Sequence, residues 1–279
     1  MDNFGFLEGR PPEISSEVTN KDQQLLYQIQ NRWNVQPGQI YKAYDNKNIS
    51  HLIACGDSTD LHFITDLIKG IKIDIILTSP PYLDLRSYES YKDKSQAAWT
   101  QLLNSTFNNL ISYTKNNVDI LVNLGLIYRN KRLIRYWDEW IAYMEDTLPH
   151  NLFGWYVWDK LWAMPGESRG RLGPSHEFVF HFKKQDSTNS ICNQWIPTKW
   201  DTSWADSSTQ KRTDGSKRIF TKKVKINPYK IPDSVIRIER EWWHGFHQNL
   251  HPATFPLKLA DFKIKTWKQK DSVIYDPFL

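Results

Sequence analysis

Residues 72–82 read Lys-Ile-Asp-Ile-Ile-Leu-Thr-Ser-Pro-Pro-Tyr, an apolar run that stops at two prolines. Ile75, Ile76 and Leu77 are consecutive, so both faces of the segment are apolar, as in a strand buried on both sides. Pro80 and Pro81 end the strand and fix the backbone that follows it. Upstream, His51–Cys55 reads as a strand that stops at Gly56-Asp57, and Leu61, Ile64, Leu67 and Ile68 follow at helical spacing. Strand, helix and strand in close succession predict a βαβ unit, whose natural home is a parallel sheet. The fold class read here is therefore α/β.

Working outward, the alternation continues. Val118–Leu126 reads as a strand, and Leu133, Trp137, Trp140, Ile141 and Met144 form a helical stripe. Phe153–Trp158 and His176–Phe182 read as strands; in the second, Phe178, Phe180 and Phe182 recur with the period of two that a strand requires. On the N-terminal side, residues 21–33 predict a short amphipathic helix capped by Thr19 or Asn20. After Lys184 the period is lost, and 185–240 reads as an inserted subdomain. Within it, Lys211 to Lys230 holds eight basic residues (Lys211, Arg212, Lys217, Arg218, Lys222, Lys223, Lys225 and Lys230) against one acid, Asp214. From Leu250 the globular pattern returns through Phe255, Leu259, Phe262 and Ile264 to a last strand at Ser272–Tyr275, then Asp276-Pro277-Phe278-Leu279. The expected organisation is an extension over 1–48, a catalytic domain over 49–184, the insertion over 185–240, and a closing part of the catalytic domain over 241–279.

Composition narrows the class. In 279 residues, 40% are hydrophobic and 24% charged, which excludes a disordered chain and a mini-scaffold held by disulfides. Two cysteines, Cys55 and Cys192, cannot build a disulfide framework or a thiolate zinc cluster. His244, His247 and His251 lack further ligands, so no metal is expected. No apolar run approaches a membrane span and the N-terminus shows no secretory signal, so the expected location is the cytoplasm, away from membranes. A net charge of +5 suits an anionic partner such as nucleic acid.

The Thr78–Tyr82 segment carries the chemistry. It falls at the carboxyl end of a buried strand, where open α/β sheets bind ligands. Proline has no N–H, so a Pro-Pro turn presents carbonyl oxygens without competing donors; Ser79 adds a hydroxyl acceptor and Tyr82 a flat ring. Acceptors beside a stacking surface suit a planar ring bearing an exocyclic amine. Two acceptors that bind the two amine hydrogens pull the nitrogen toward tetrahedral geometry and free its lone pair. A base taken out of its duplex also needs a surface to stack on, worth about 1–3 kcal/mol.

Here the chain resembles the amino-methylating DNA methyltransferases that use S-adenosylmethionine, in the permuted order where the catalytic motif precedes the cofactor glycine loop. Five stretches match in order: Gly56-Asp57-Ser58; Thr78-Ser79-Pro80-Pro81-Tyr82; Arg171-Leu172-Gly173-Pro174-Ser175-His176-Glu177-Phe178; His251-Pro252-Ala253-Thr254-Phe255-Pro256; and Val273-Ile274-Tyr275-Asp276-Pro277-Phe278. The resemblance implies a methyltransferase-like, Rossmann-type, mostly parallel sheet, circularly permuted, with an inserted target-recognition region. It implies that Ser79 and the Pro80 carbonyl accept the amine, that Pro81 completes the turn, and that Tyr82 stacks on the base. It places Asp57 at the adenine end of the cofactor, Asp276, Pro277 and Phe278 at its methionine end, and Phe255 beside it. Lys160 and the basic residues Lys211, Arg212, Lys217, Arg218, Lys222, Lys223 and Lys225 would contact double-stranded DNA. A serine before Pro-Pro-Tyr is typical of the cytosine-N4 enzymes and an aspartate of the adenine-N6 enzymes, so Ser79 favours cytosine N4, with adenine N6 the alternative. A restriction endonuclease would be the functional partner.

The sequence departs from the family in one place. It stops at Leu279, where the family continues into a glycine-rich turn and a ribose-binding acid. The expectation is a fragment, one half of a split enzyme completed by a second polypeptide that supplies the cofactor loop, or an inactive remnant. In each case the chain alone would bind the cofactor poorly.

Overall fold

The computed structural model describes residues 34–83, 95–163, 170–187, 192–197, 204–205, 208–220, 224–225, 227–240 and 256–279. The helix expected at 21–33, the histidines 244, 247 and 251, and the site candidates Phe255, Lys222 and Lys223 lie outside the described residues, as do the side chains of Lys211 and Lys225. The chain divides into two compact units, Met1–Cys55 with Trp243–Pro252, and Gly56–Trp242 with Ala253–Leu279.

In the first unit, β1 (Ile40–Tyr44) and β2 (Ser50–Ala54) form an antiparallel hairpin. Asp45 shapes its turn, accepting the N–H groups of Lys47 and Ile49 at 2.9 and 2.8 Å. This corrects one expectation. The strand expected at His51–Cys55 forms as β2, but its partner is β1 and not the strand at residues 72–77. A short strand pairs with what lies closest in sequence when a tight turn permits it, and hydrophobic spacing alone does not reveal that choice.

The second unit is built on a six-stranded sheet. Its strands are β3 (Ile73–Thr78), β4 (Thr114–Leu124), β7 (His150–Asp159), β8 (His176–Lys184), β15 (Val235–Arg237) and β16 (Ile274–Tyr275), with β5 (Ile127–Arg129) and β6 (Arg132–Ile134) forming a separate small hairpin. The order across the sheet is β15-β7-β8-β4-β3-β16. Five of these strands point the same way; β8 alone is antiparallel to both its neighbours. The sheet is thus mostly parallel, as expected. The last strand of the chain, β16, lies beside β3, pairing Ile274 with Ile75 and Tyr275 with Ile76. The two motif-bearing strands are therefore adjacent, although nearly 200 residues separate them in sequence.

Period-two alternation divides the sheet's side chains between two cores. Ile76, Ile120, Val122, Phe180 and Phe182 face one side, where α1 (Leu61–Ile68), α2 (Gln96–Ile111) and α3 (Asp138–Asp146) pack. Ile75, Leu77, Leu121 and Val179 face the other, beneath α4 (Leu257–Trp267). Ile73 and Ile75 fall on opposite sides because a bulge shifts the β3–β4 register between them. Asp60 starts α1, accepting the N–H groups of His62 and Phe63 at 2.9 and 3.3 Å, and Ser95 caps α2 through the N–H of Ala98 at 3.1 Å. The α2/α3 side is dense in rings: Trp99 meets Tyr136 edge-on at 4.7 Å, and Trp140 meets Phe182 edge-on at 5.1 Å.

Three differences from the sequence reading have plain causes. The stripe from Leu133 to Met144 is not one helix: Leu133 lies in β6, Trp137 is the N-cap, and α3 begins at Asp138. Helix α2 escapes the sequence reading, because its polar residues break the apolar run. The 185–240 region has no helical or strand period because its strands are very short. These are β9 (Ile196–Pro197), β10 (Trp204–Ala205), β11 (Ser208–Lys211), β12 (Lys217–Phe220), β13 (Val224–Lys225) and β14 (Tyr229–Lys230), paired two by two. Among the described strands of this region, β15 joins the main sheet, parallel to β7.

Candidate functional site

The Pro-Pro turn and the end of β16 emerge at the same edge of the sheet, because β3, β4, β7 and β16 all point that way and β8 begins there. At the end of β3, Thr78 is fully buried and its hydroxyl donates to Asp276 Oδ1 at 2.6 Å, and the Phe278 N–H reaches the same oxygen at 2.9 Å. Burial raises the pKa of the Asp276 carboxyl, and the bonds from Thr78 and Phe278 work against that rise.

The Pro-Pro turn is anchored from below. The Pro81 carbonyl accepts the Trp99 indole N–H at 2.6 Å and the Leu83 N–H at 3.2 Å. Tyr82 is only 8% exposed. Its ring lies against Gly125, where a Cβ would sit 2.7 Å from the ring, so only glycine fits. Its hydroxyl donates to Glu177 Oε2 at 2.8 Å and accepts from Asn123 Nδ2 at 2.7 Å and from the Ser79 hydroxyl at 3.1 Å. Asn123 Nδ2 also donates to Glu177 Oε2 at 2.6 Å, and Lys160 bridges Glu177 Oε1 at 3.2 Å. Desolvation, then the Glu177 charge, raise the Tyr82 pKa well above its ordinary value, so the phenol keeps its proton and remains a donor.

The direction of these bonds decides the chemistry. Ser79 directs its only proton inward to Tyr82, so its remaining capacity is that of an acceptor. The half-buried Ser79 hydroxyl is thus left with acceptor capacity toward the outside of the turn.

Of the residues assigned to the cofactor, Asp57 is exposed and accepts the Thr59 N–H and hydroxyl through Oδ1, both at 2.8 Å. The helix cap beside it is Asp60. The Ser58 hydroxyl donates to the Pro277 carbonyl. That contact joins Gly56-Asp57-Ser58 to Asp276-Pro277-Phe278, the two stretches the resemblance assigns to opposite ends of one cofactor. The two stretches therefore lie side by side.

The described DNA candidates fall in three places, one of them the short β13, where Lys225 pairs with Trp204 of β10. Lys160 has its ammonium on Glu177 at the rim of the catalytic turn. Lys211 to Arg218 forms the β11–β12 hairpin, pairing Lys211 with Lys217 and Gln210 with Arg218. Gly215 takes φ +82° in its turn, and Arg212, Lys217 and Arg218 are exposed. A two-stranded ribbon has the width to enter a major groove.

Asn123, Glu177, Gly125 and Lys263 complete the site, and the sequence alone assigns them no role. Asn123 is a polar residue at the end of an apolar run and two positions before a glycine, a signal that points to a buried partner. Glu177 lies inside a matched stretch. Lys263 carries no signal beyond its place on the inward stripe of α4.

The fold is that of an α/β methyltransferase, with the Pro-Pro turn at the carboxyl edge of a mostly parallel sheet. Residues 73–279 match the family model described as DNA methylase, of the N6 and N4 methyltransferases. The chain belongs to that family. It is 23% identical to the orphan methyltransferase M.BamHII of Bacillus amyloliquefaciens, over 76% of this chain and 78% of that one. Among solved structures, the PvuII cytosine-N4-specific DNA methyltransferase superposes with a TM-score of 0.52 at 19% identity, covering 80% of this chain and 72% of that one. The M1.HpyAVI–SAM complex covers 80% of this chain and 79% of that one, at 15% identity and a TM-score of 0.45.

Proposed function

We propose that this chain methylates the exocyclic N4 amine of cytosine within a specific duplex sequence, with Ser79, Pro80, Pro81 and Tyr82 as the catalytic turn. The observation that carries this reading is the inward direction of the Ser79 proton. It leaves the hydroxyl as an acceptor, and with the carbonyl of the adjoining Pro80 as the second acceptor the turn would hold an amine, not a carbonyl or a ring carbon.

S-adenosylmethionine, the methyl donor of the family, supplies when bound a sulfonium-activated methyl group. Asp57, Asp276, Pro277 and Phe278 are the described residues that would hold it. Ser79 and Pro80 orient the amine lone pair for in-line attack, Tyr82 and Trp99 hold the turn rigid, and no covalent bond between protein and base is needed. The gain comes from alignment and fixed dipoles. Ser79 at the head of the turn, where the adenine-N6 enzymes carry aspartate, favours cytosine, and the PvuII enzyme of similar fold is cytosine-N4-specific. The exposed basic hairpin at Arg212, Lys217 and Arg218 supplies phosphate and base contacts, and Lys160, Lys211, Lys222, Lys223 and Lys225 are the remaining candidates for DNA contact. In this reading a restriction endonuclease of the same target sequence is the functional counterpart. No described helix is long and apolar enough to cross a membrane.

The test is Ser79→Ala. Turnover on duplex DNA should fall by about a hundredfold, the scale of removing one aligned polar group from a transition state. Duplex affinity should hold within about threefold, since phosphate contacts dominate it. Unchanged turnover would remove Ser79 from the chemistry.

A further inference from the structure

The sheet face beneath α4 is apolar at Ile75, Leu77, Leu121 and Val179, yet the helix inserts a lysine into it. Lys263 is wholly buried, with Leu259 one turn before and Thr266 one turn after on the same inward stripe. Long basic side chains normally lead their charge out to water. This one leads inward. Its ammonium donates to Asn123 Oδ1 at 3.3 Å and faces the carboxylates of Glu177, from β8, and Asp276, from the end of β16.

The contact has a consequence for direction. A carboxamide offers an acceptor at one end and two donors at the other. The Glu177 carboxylate, which only accepts, takes the Asn123 NH2 on one side, and the Lys263 N–H groups hold the Asn123 oxygen on the other. The Asn123 NH2 then points up at the Tyr82 hydroxyl and Glu177, at 2.7 and 2.6 Å. Tyr82, receiving that N–H, uses its own proton on Glu177 and takes the proton of Ser79. Reversing Asn123 would aim its oxygen at Tyr82 and Glu177. Tyr82 would then donate to Asn123, and a carboxylate would face an amide oxygen without a proton between them.

We propose that Lys263 is a positioning residue for methyl transfer: it fixes the polarity of the Lys263–Asn123–Tyr82–Ser79 chain so that Ser79 meets the base as an acceptor. The inference rests on the assignment of Ser79 to the amine. Lys263 touches neither base nor methyl donor; it acts three links away.

The test compares Lys263→Met, which keeps length and removes the donor, with Lys263→Gln, whose amide can donate or accept. Turnover on duplex DNA, KM for S-adenosylmethionine, duplex affinity and melting temperature are measured for both, with Ser79→Ala and Asn123→Leu as references. Lys263→Met should lower kcat by about tenfold or more, the scale of a small misplacement of a reacting group. Its KM and duplex affinity should stay within about threefold and its melting temperature should not fall, a split that a purely structural lysine would not give. Lys263→Gln should lie between Lys263→Met and the parent. The double variant with Asn123→Leu should be no slower than Asn123→Leu alone, because both changes break one chain. A Lys263→Met kcat within twofold of the parent, while Ser79→Ala remains crippled, overturns the inference and leaves the site standing. A Lys263→Gln variant slower than Lys263→Met also overturns it. If Ser79→Ala keeps full turnover, the site assignment itself fails.

Discussion

Removing a single oxygen tests whether the Tyr82 hydroxyl holds the catalytic turn. Tyr82→Phe keeps the ring against Gly125 but deletes the acceptor of Asn123 Nδ2 and Ser79 and a donor to Glu177. Asn123 keeps its bond to Glu177 at 2.6 Å, and Glu177 keeps Lys160 at 3.2 Å, so neither is stripped bare. The loss is then one charge-assisted bond and two neutral ones, partly compensated. A net bond contributes about 0.5–1.5 kcal/mol, and one to a charged group about 1.5–3 kcal/mol, which gives roughly 2–4 kcal/mol for the set. At about 2–4 °C per kcal/mol for a chain of this size, the melting temperature should fall by roughly 4–16 °C. Turnover should fall by about tenfold, because Ser79 loses the partner that directs its proton inward. Calorimetric or dichroism melting and single-turnover methylation of duplex DNA measure the two effects. A variant that melts within 1 °C of the parent and turns over normally would refute the account of the anchored turn, a threshold set by the ~2 °C per kcal/mol scale.

Three further outcomes follow from the geometry. Gly125→Ala puts a methyl group 2.7 and 2.8 Å from two Tyr82 ring carbons; it should cost about 1–3 kcal/mol in denaturant unfolding and lower turnover with it. Lys263 drops from the usual 10.5 to about 7 because burial disfavours its charge against the pull of Glu177 and Asp276. Between about pH 7 and 10 the unfolded chain therefore binds more protons than the folded one, and stability should climb with pH across that window. Lys263→Met should lose the climb and be more stable at pH 6 by about 1–4 kcal/mol, the range seen when buried ions yield to apolar groups; parallel urea curves for the two proteins at all pH values would contradict this. Replacing Arg212, Lys217 and Arg218 with alanine should flatten the log–log salt dependence of duplex binding by about 0.9 for each phosphate that the hairpin no longer neutralises; an unchanged slope would remove the hairpin from the interface.

The sheet was legible where burial imposes a pattern. Ile75–Leu77 announces a two-faced strand, and Phe178, Phe180 and Phe182 announce the alternation of β8. Strand pairing was not legible to the same degree. His51–Cys55 has the right texture for the main sheet, yet its partner is β1, a choice made by the Asp45 turn. Strand β15 has only three residues, too few for a period to show. In the site, the motif residues Ser79, Pro80 and Tyr82 stand out because their types are unusual after an apolar run. Asn123, Glu177 and Lys263 do not, since each is an ordinary polar residue whose role appears only when β4, β8 and α4 converge on Tyr82. Tyr82 reads as a stacking ring from sequence; in the structure the ring is buried against Gly125 and its hydroxyl is the hub of the turn.

Identifying the methylated base decides whether cytosine in DNA is amino-methylated through Ser79. The chain is expressed, together with a second polypeptide that carries a glycine-rich cofactor loop, in a bacterial host without cytosine-N4 methylation, and the host DNA is digested to nucleosides and separated by mass spectrometry. The account predicts N4-methyldeoxycytidine in DNA from cells carrying the parent protein and its loss with Ser79→Ala. N6-methyldeoxyadenosine in its place, or N4-methyldeoxycytidine that persists with Ser79→Ala, would contradict it.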